Sequence, residues 1–334
     1  MKKAKISGIG YYVPETVVTN NDLTQRINTT DEWIQERTGI KERRYVQPGQ
    51  QKNFELGVKA AEKAMEMAQV TAKDIDLIVY ATLSPDYLFP GSGVLLQHAL
   101  GCKHVGAIDV RAQCSGFVYG LSIADQYIKT GMYENILLVG SEIHSTGLDF
   151  SDHGRHIAVI FGDGAGAAVI QPAKDGEESG ILSTHLHSQG EFAEELATID
   201  PGCTKEVRFK DEMVQPGGSF YPVMNGQFVF KNAILRFEEV INEALEANGL
   251  GIQDIDLLVP HQANLRISQM IQKKLALPNE KVMNTIQKYG NTTAASIPIS
   301  LSEAYQAGRV KPGDLVCLAA FGSGFTWASA LVRW

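Results

Sequence analysis

The stretch from Ala61 to Thr82, AEKAMEMAQVTAKDIDLIVYAT, returns as INEALEANGLGIQDIDLLVPHQA from Ile241 to Ala263, with the shared Asp-Ile-Asp displaced by 180 residues. Each copy places apolar residues at helical spacing, then a short polar turn, then a β-rich apolar run after the aspartates. The chain reads as one helix-turn-strand unit used twice. Further on, SIADQYIKTGMYENILLVG ends at Gly140 and SLSEAYQAGRVKPGDLVCLAA at Ala320. Each predicts a helix, a glycine stop, a polar turn and a buried strand. Gly131 and Gly308 stand 177 residues apart, and FGDGAGAAVI from Phe161 echoes FGSGFTWASALV from Phe321 at a distance of 160. The shorter offset implies about 17 additional residues in the first half, around Ser141 to His156.

Alternating helices and buried strands predict an α/β architecture of two halves packed face to face, residues 1–171 and 172–334. The polar connector PAKDGEESG, Pro172 to Gly180, marks the join. With 44% hydrophobic and 20% charged residues the composition is that of a folded globular protein. A net charge of −8 supplies no basic field for a nucleic-acid backbone. The local cluster Arg37, Lys41, Arg43 and Arg44 reads either as a phosphate contact or as a solvated loop. The start lacks a signal-peptide core, and no apolar run approaches the roughly 20 residues that span a bilayer. The expectation is a soluble, cytoplasmic protein with no nucleic-acid or membrane partner. Its four cysteines form no CxxC pair and read as separate thiols. The pairs His153/His156 and His185/His187 lack the context of a metal centre, so none is expected.

Cys114, in AIDVRAQCSGFVYGLSIADQYI, sits where an apolar strand ends and a helix opens. The positive end of the helix dipole there is expected to favour thiolate. Ser115-Gly116 permits the close backbone approach that such an elbow needs. A buried structural cysteine is the plain alternative, and Cys102, Cys203 and Cys317 are read that way. Applying the offset of 177 to Cys114 lands on Asn291, in KYGNTTAASIPISLSEAY, again a loop opening a helix. Asn291 alone would pass for an N-cap. His261 follows the strand of DIDLLVPHQANLRI and should emerge at the same carboxyl-end rim. A cysteine nucleophile with neutral His and Asn donors suits acyl transfer followed by enolate stabilisation.

Taken together, AQCSGF, VPHQANLRI, YGNTTAASIP, FGDGAGAAV and the terminal FGSGFTWASALVRW resemble the β-ketoacyl-acyl-carrier-protein synthase III family nearly end to end. No acidic residue follows Gly162, Gly164 and Gly166 at the spacing of a nucleotide loop. The resemblance implies a thiolase-like fold, with duplicated halves in five layers ordered αβαβα, assembled as a homodimer. It implies an acyltransferase that initiates fatty acid biosynthesis. An acyl group passes from acyl-coenzyme A to Cys114 and is condensed, with loss of carbon dioxide, with malonyl-acyl-carrier protein. Coenzyme A enters as a substrate, and no cofactor is implied.

The resemblance also implies roles for single residues. Backbone N–H groups of Cys114 and Ser323 would form the oxyanion hole, although glycine is usual at 323 and the serine side chain would lie near the acyl pocket. Trp33, Arg37, Arg155 and Asn264 would bind coenzyme A, with the segment around Arg155 departing from the family's pattern. The carrier protein would meet Gln262, Ala263, Asn264, Leu265 and Arg266, and Phe89 would reach into the partner subunit's acyl pocket. Asn291 and Phe325 stand where elongating synthases carry a second histidine and thiolases a second cysteine. A synthase-III-like enzyme of specialised metabolism and a noncatalytic partner of a condensing enzyme are the alternative readings.

Overall fold

Both copies of Asp-Ile-Asp do the same work. Asp74 and Asp254 close the turn before the strand, accepting from the N–H groups of Thr71 (2.8 Å) and Gly251 (2.7 Å). Asp76 and Asp256 reach to the neighbouring strand's start, accepting from Asn135 N–H at 2.9 Å and Leu315 N–H at 2.8 Å. The isoleucines between them, Ile75 and Ile255, are buried. Each motif therefore stops a helix-turn segment, plants an apolar anchor and aligns two strands.

The computed structural model describes residues 2–334. The first sheet contains β1 (Ala4–Tyr12), β2 (Leu77–Ala81), β3 (Gly106–Val110), β4 (Ile136–Glu142) and β5 (Gly164–Pro172), in the order β1-β5-β4-β2-β3. β2, β3 and β4 are parallel, while β5 and β1 are antiparallel to their neighbours. The second sheet contains β6 (Gly180–Ser188), β7 (Leu257–Pro260), β8 (Leu315–Gly322) and β9 (Thr326–Arg333), in the order β7-β8-β9-β6. It repeats the first with the fifth strand reduced to one parallel bridge, Leu258 to Val282. Residues 173–179 connect the sheets.

The principal helices are α1 (Asp31–Thr38), α2 (Asn53–Ala68), α3 (Ser92–Leu100), α4 (Gly116–Thr130), α5 (Gly226–Ala247), α6 (Leu265–Lys274) and α7 (Ser296–Gln306). α4 and α7 are buried along much of their length because they lie between the sheets. α2 and α3 cover the outer face of the first sheet, and α5 with α6 covers that of the second. The result is five layers ordered αβαβα, as expected.

The register corrects two pairings drawn from the sequence. Leu77 pairs with Ile136 and Leu257 with Val316, so the offset stays at 180 through the central strands. The 177-residue spacing of Gly131 and Gly308 reflects a shorter α7 followed by a longer turn. Ala294, not Asn291, is therefore the counterpart of Cys114. Gln113 and Thr293 confirm it, since each takes a positive φ, 45° and 47°, at the start of a 3₁₀ turn that leads into its helix. Phe161 and Phe321 are likewise not equivalent, because Phe321 lies inside β8 whereas Phe161 precedes β5.

The extra residues fall where expected. Residues 143–163 join β4 to β5, while 323–325 suffice between β8 and β9. This insertion packs Leu148, Ala158 and Val159 against Leu23, Ile27, Ile34 and Ile40 in a satellite core.

Gly140 on β4 brings the first sheet onto the second half's turn: a Cβ there would lie 2.5 Å from the carbonyl oxygen of Ala294. Gly140→Ala is expected to lower stability by about 1–3 kcal/mol, the range of core overpacking, read as a shift of the urea midpoint.

Candidate active site

Cys114 occupies the tight turn Gln113–Ser115 ahead of α4 and is buried. Gly322, at the end of β8, makes that position possible. Any side chain there would collide with the cysteine, since a Cβ would sit 2.9 Å from its sulfur. The backbone N–H groups of Ser323 and Cys114 act on the thiol. They and the helix start favour charge on sulfur, but burial outweighs them. Removal from water, reinforced by the Glu142 carboxylate, pushes the Cys114 thiol up to about 12. In the free site burial thus opposes the thiolate that the helix start favours.

The turn of Cys114 packs against its pseudo-equivalent, Thr293–Ala295, and the residues flanking that second turn bring in the other two polar groups. Ser296, at the start of α7, places its Oγ 2.6 Å from His261 Nδ1. The same Oγ accepts from Gln262 N–H at 3.4 Å, and the tautomer in which the hydroxyl donates to Nδ1 carries the ring proton of His261 on Nε2. That Nε2 is buried without a hydrogen-bond partner among the described residues. Burial pulls the imidazole down to about 3, so it is a neutral donor. Asn291 Oδ1 accepts from Thr293 N–H at 2.8 Å, which leaves its Nδ2 hydrogens for a ligand. Its backbone is clamped on both sides, N–H to Ile160 O at 2.9 Å and O from Gly162 N–H at 3.0 Å.

Three contributors escaped the sequence reading. Ser296 holds the Nδ1 side of the His261 ring but looks like any helix-start serine. Glu142 ends β4 in a bed of donors, Thr82 Oγ1 (3.1 Å), Leu83 N–H, Ser84 N–H and Ser84 Oγ (2.6 Å). Burial still raises its carboxyl to about 7. His144 reaches Thr293 with its Nε2, 2.8 Å from Oγ1. A glutamate closing an otherwise apolar strand was the one available signal.

The guanidinium carbons of Arg37 and Arg155 lie 4.5 and 4.9 Å from the ring centre of Trp33 on α1, with His156 beside the same indole. Arg43, from the same basic cluster, is wholly buried on Asn20 Oδ1 and Val159 O and cannot meet an external phosphate. Asn264 caps α6 through Arg266 N–H and donates to Arg37 O, joining α6 to α1.

Gln262 is withdrawn from the carrier-facing set. Its amide is buried on Pro260 O and Met283 O and accepts from Thr285 and Ile286 N–H groups. Ala263, Asn264 and Leu265 are partly open and Arg266 is exposed. Phe89 is 85% exposed on a loop tip beside Leu88. The Ser323 hydroxyl donates to the Leu196 carbonyl, so this side chain is engaged by the strand at Leu196–Ala197. His185 and His187 share Glu243, at 3.4 and 2.6 Å.

Comparison with known proteins settles the family. Residues 108–190 match the 3-oxoacyl-acyl-carrier-protein synthase III family, and residues 245–334 match the family of its C-terminal part. A β-ketoacyl-acyl-carrier-protein synthase III from Alkalilimnicola ehrlichii is 48% identical over 336 residues, covering 100% of both chains. The chain belongs to this family. The synthase III of Granulibacter bethesdensis is 46% identical over 100% of both chains. The crystal structure of the Aquifex aeolicus enzyme superposes with a TM-score of 0.89 at 42% identity, covering 99% of this chain and 100% of the other. The chain is thus an acyltransferase with a thiolase-like fold.

Alkylation of Cys114 by iodoacetamide, followed by peptide mass between about pH 6 and pH 10, is expected to keep accelerating across the range instead of levelling near the ordinary thiol value of about 8.5. Glu142→Gln removes the charge that opposes thiolate and should move the curve to lower pH. A plateau below about pH 8 in the wild type would show that the helix start prevails.

Proposed function

We propose that the chain condenses an acyl-coenzyme A primer with malonyl-acyl-carrier protein through an acyl-Cys114 intermediate, the step that starts fatty acid synthesis. One observation carries this reading. Two neutral donors, His261 Nε2 and Asn291 Nδ2, are left unspent beside a turn that presents a buried thiol. Such donors serve a carbonyl oxygen that gains negative charge.

In the first half-reaction the Cys114 sulfur attacks the acyl thioester, and the N–H groups of Cys114 and Ser323 hold the oxyanion. Collapse transfers the acyl group to sulfur, and the thiol proton leaves with coenzyme A. Because burial opposes a free thiolate, the attack is eased when the thiol proton departs as the bond forms. In the second half-reaction His261 and Asn291 donate to the malonyl thioester carbonyl. Loss of carbon dioxide leaves an enolate stabilised by those two bonds. Its carbon attacks acyl-Cys114, and the tetrahedral intermediate expels the cysteine thiolate to give the 3-oxoacyl carrier protein. A neutral imidazole is the right partner, since it stabilises the enolate without first quenching it as an acid.

Trp33 and Arg155 offer a planar stack for adenine, and Arg37 a charge for phosphate. Arg266, with Ala263, Asn264 and Leu265, forms the carrier-facing rim, a local positive feature on a chain of net charge −8. Phe89, exposed as an apolar tip, and β3, an exposed sheet edge, support a homodimer in which Phe89 enters the partner subunit's acyl pocket. The reaction needs no cofactor beyond its substrates. Among the described residues no helix is long and apolar enough to cross a membrane, and the reading places the enzyme in the cytoplasm with its diffusible substrates.

Incubation with acetyl-coenzyme A should add one acetyl mass at Cys114. His261→Ala and Asn291→Ala should each still acquire it while condensing about 100- to 1,000-fold more slowly. Wild-type condensation in either variant would sink the assignment of roles. Arg266→Glu should raise the KM for malonyl-acyl-carrier protein and leave that for acyl-coenzyme A nearly unchanged.

A further inference from the structure

His144 is buried, belongs to the insertion between β4 and β5, and has no part in the chemistry described above. Its position is firmly set. His144 N–H donates to Asp163 Oδ1 at 2.7 Å, and the same carboxylate binds Ser145 N–H, Ser145 Oγ and Val46 N–H. The imidazole packs on Phe161, ring centres 4.7 Å apart. From that seat Nε2 lies 2.8 Å from Thr293 Oγ1.

Thr293 is the hinge of the second turn. It is a β-branched residue at φ 47°, a conformation such side chains rarely adopt and hold only when their surroundings over-determine it. Its N–H holds Asn291 Oδ1 at 2.8 Å and thereby aims the free amide hydrogens. Phe161, which backs the imidazole, pairs with Asn291 through its neighbours Ile160 and Gly162. His144 therefore touches both supports of Asn291, the threonine that orients its side chain and the segment that clamps its backbone.

We propose that His144 is a positioning residue for the decarboxylating half-reaction: through Thr293 it holds the Asn291 amide at the angle that stabilises the enolate. The inference rests on the condensing function proposed above. It separates the two half-reactions, because acyl transfer to Cys114 uses the backbone N–H groups of Cys114 and Ser323 and does not pass through Asn291.

The test measures both halves separately in wild type, His144→Leu, His144→Gln and Thr293→Val, after matching thermal melts. Acylation is followed as Cys114 mass gain, and decarboxylation as carbon dioxide released from malonyl-acyl-carrier protein. His144→Leu and Thr293→Val should acylate at the wild-type rate and decarboxylate about 10- to 100-fold more slowly, the scale expected for a misplaced catalytic group. The loss should fall on kcat with little change in KM, and the double variant should be no worse than either single one. His144→Gln, which keeps a hydrogen-bonding group, should recover most of the rate. Equal losses in both half-reactions would reduce His144 to a packing residue. Unchanged decarboxylation in His144→Leu, or a Gln variant no better than Leu, would overturn the proposal. A wild-type chain that neither acylates Cys114 nor releases carbon dioxide would instead remove the condensing function on which it stands.

Discussion

Two turns packed back to back hold this molecule's chemistry. Gln113–Ser115 and Thr293–Ala295 meet between the sheets, each introduced by a residue at positive φ and each opening a central helix. Their approach is close enough that Gly116 at one helix start faces Ala294 across the pseudo-symmetry axis, a Cβ there falling 3.5 Å from that of the alanine. The requirement propagates outward. The helices behind the turns must be buried along much of their length, and the outer helices only need to cover what remains. Duplication meets this requirement economically, because one unit that buries one face of a sheet and presents one turn needs only a second copy to bury the other.

Such a packed centre leaves little water, and that has opposite effects on its two kinds of polar group. A thiol loses acidity on burial, as does the Glu142 carboxyl. An imidazole loses basicity and stays neutral. The donor left on His261 Nε2 is a buried polar group without a partner, a defect that costs about 1–3 kcal/mol in a folded chain. The fold tolerates it because its large apolar interior dominates the balance, and the same dry surroundings strengthen any bond the donor makes to a developing oxyanion. Stability is given up at the atom where charge stabilisation is needed.

The fold was legible in the residues because its determinants are local. Asp-Ile-Asp closes a turn and aligns a strand within a few residues of itself, and the apolar periods of α4 and α7 are visible without knowledge of their neighbours. Cys114 and His261 were legible as candidates for the same reason, each following a readable strand. Asn291 was reached by an offset that the register does not support. The helix of the second half is shorter and its following turn longer, and this compensation shifts the glycine stop while the elbow stays at 180. Residues whose state depends on tertiary burial were beyond reach. Gln262 lies in a motif that reads as surface but is consumed by four backbone partners. Arg43 reads as part of a basic patch but is sealed inside. Ser296, Glu142 and His144 act across gaps of 35, 58 and 149 residues, through contacts that no local pattern encodes.

The symmetry of the frame is also what makes the site's asymmetry intelligible. At equivalent positions the first half carries Cys114 and the second Ala294; the first ends β4 with Glu142 and the second ends β8 with Gly322; the first has Ala81 where the second has His261. A glycine must face the thiol, so the acid can exist only at the opposite pole. An alanine at the centre of the second turn leaves room beside the sulfur, and polar function moves to that turn's flanks, Asn291 before it and Ser296 after it. The insertion unique to the first half then backs the flank that bears Asn291, through Ile160, Gly162 and His144. In the proposed reaction one elbow is the place where covalent bonds are made and the other the scaffold for the donors that face it, a division that a single copy of the repeat could not accommodate.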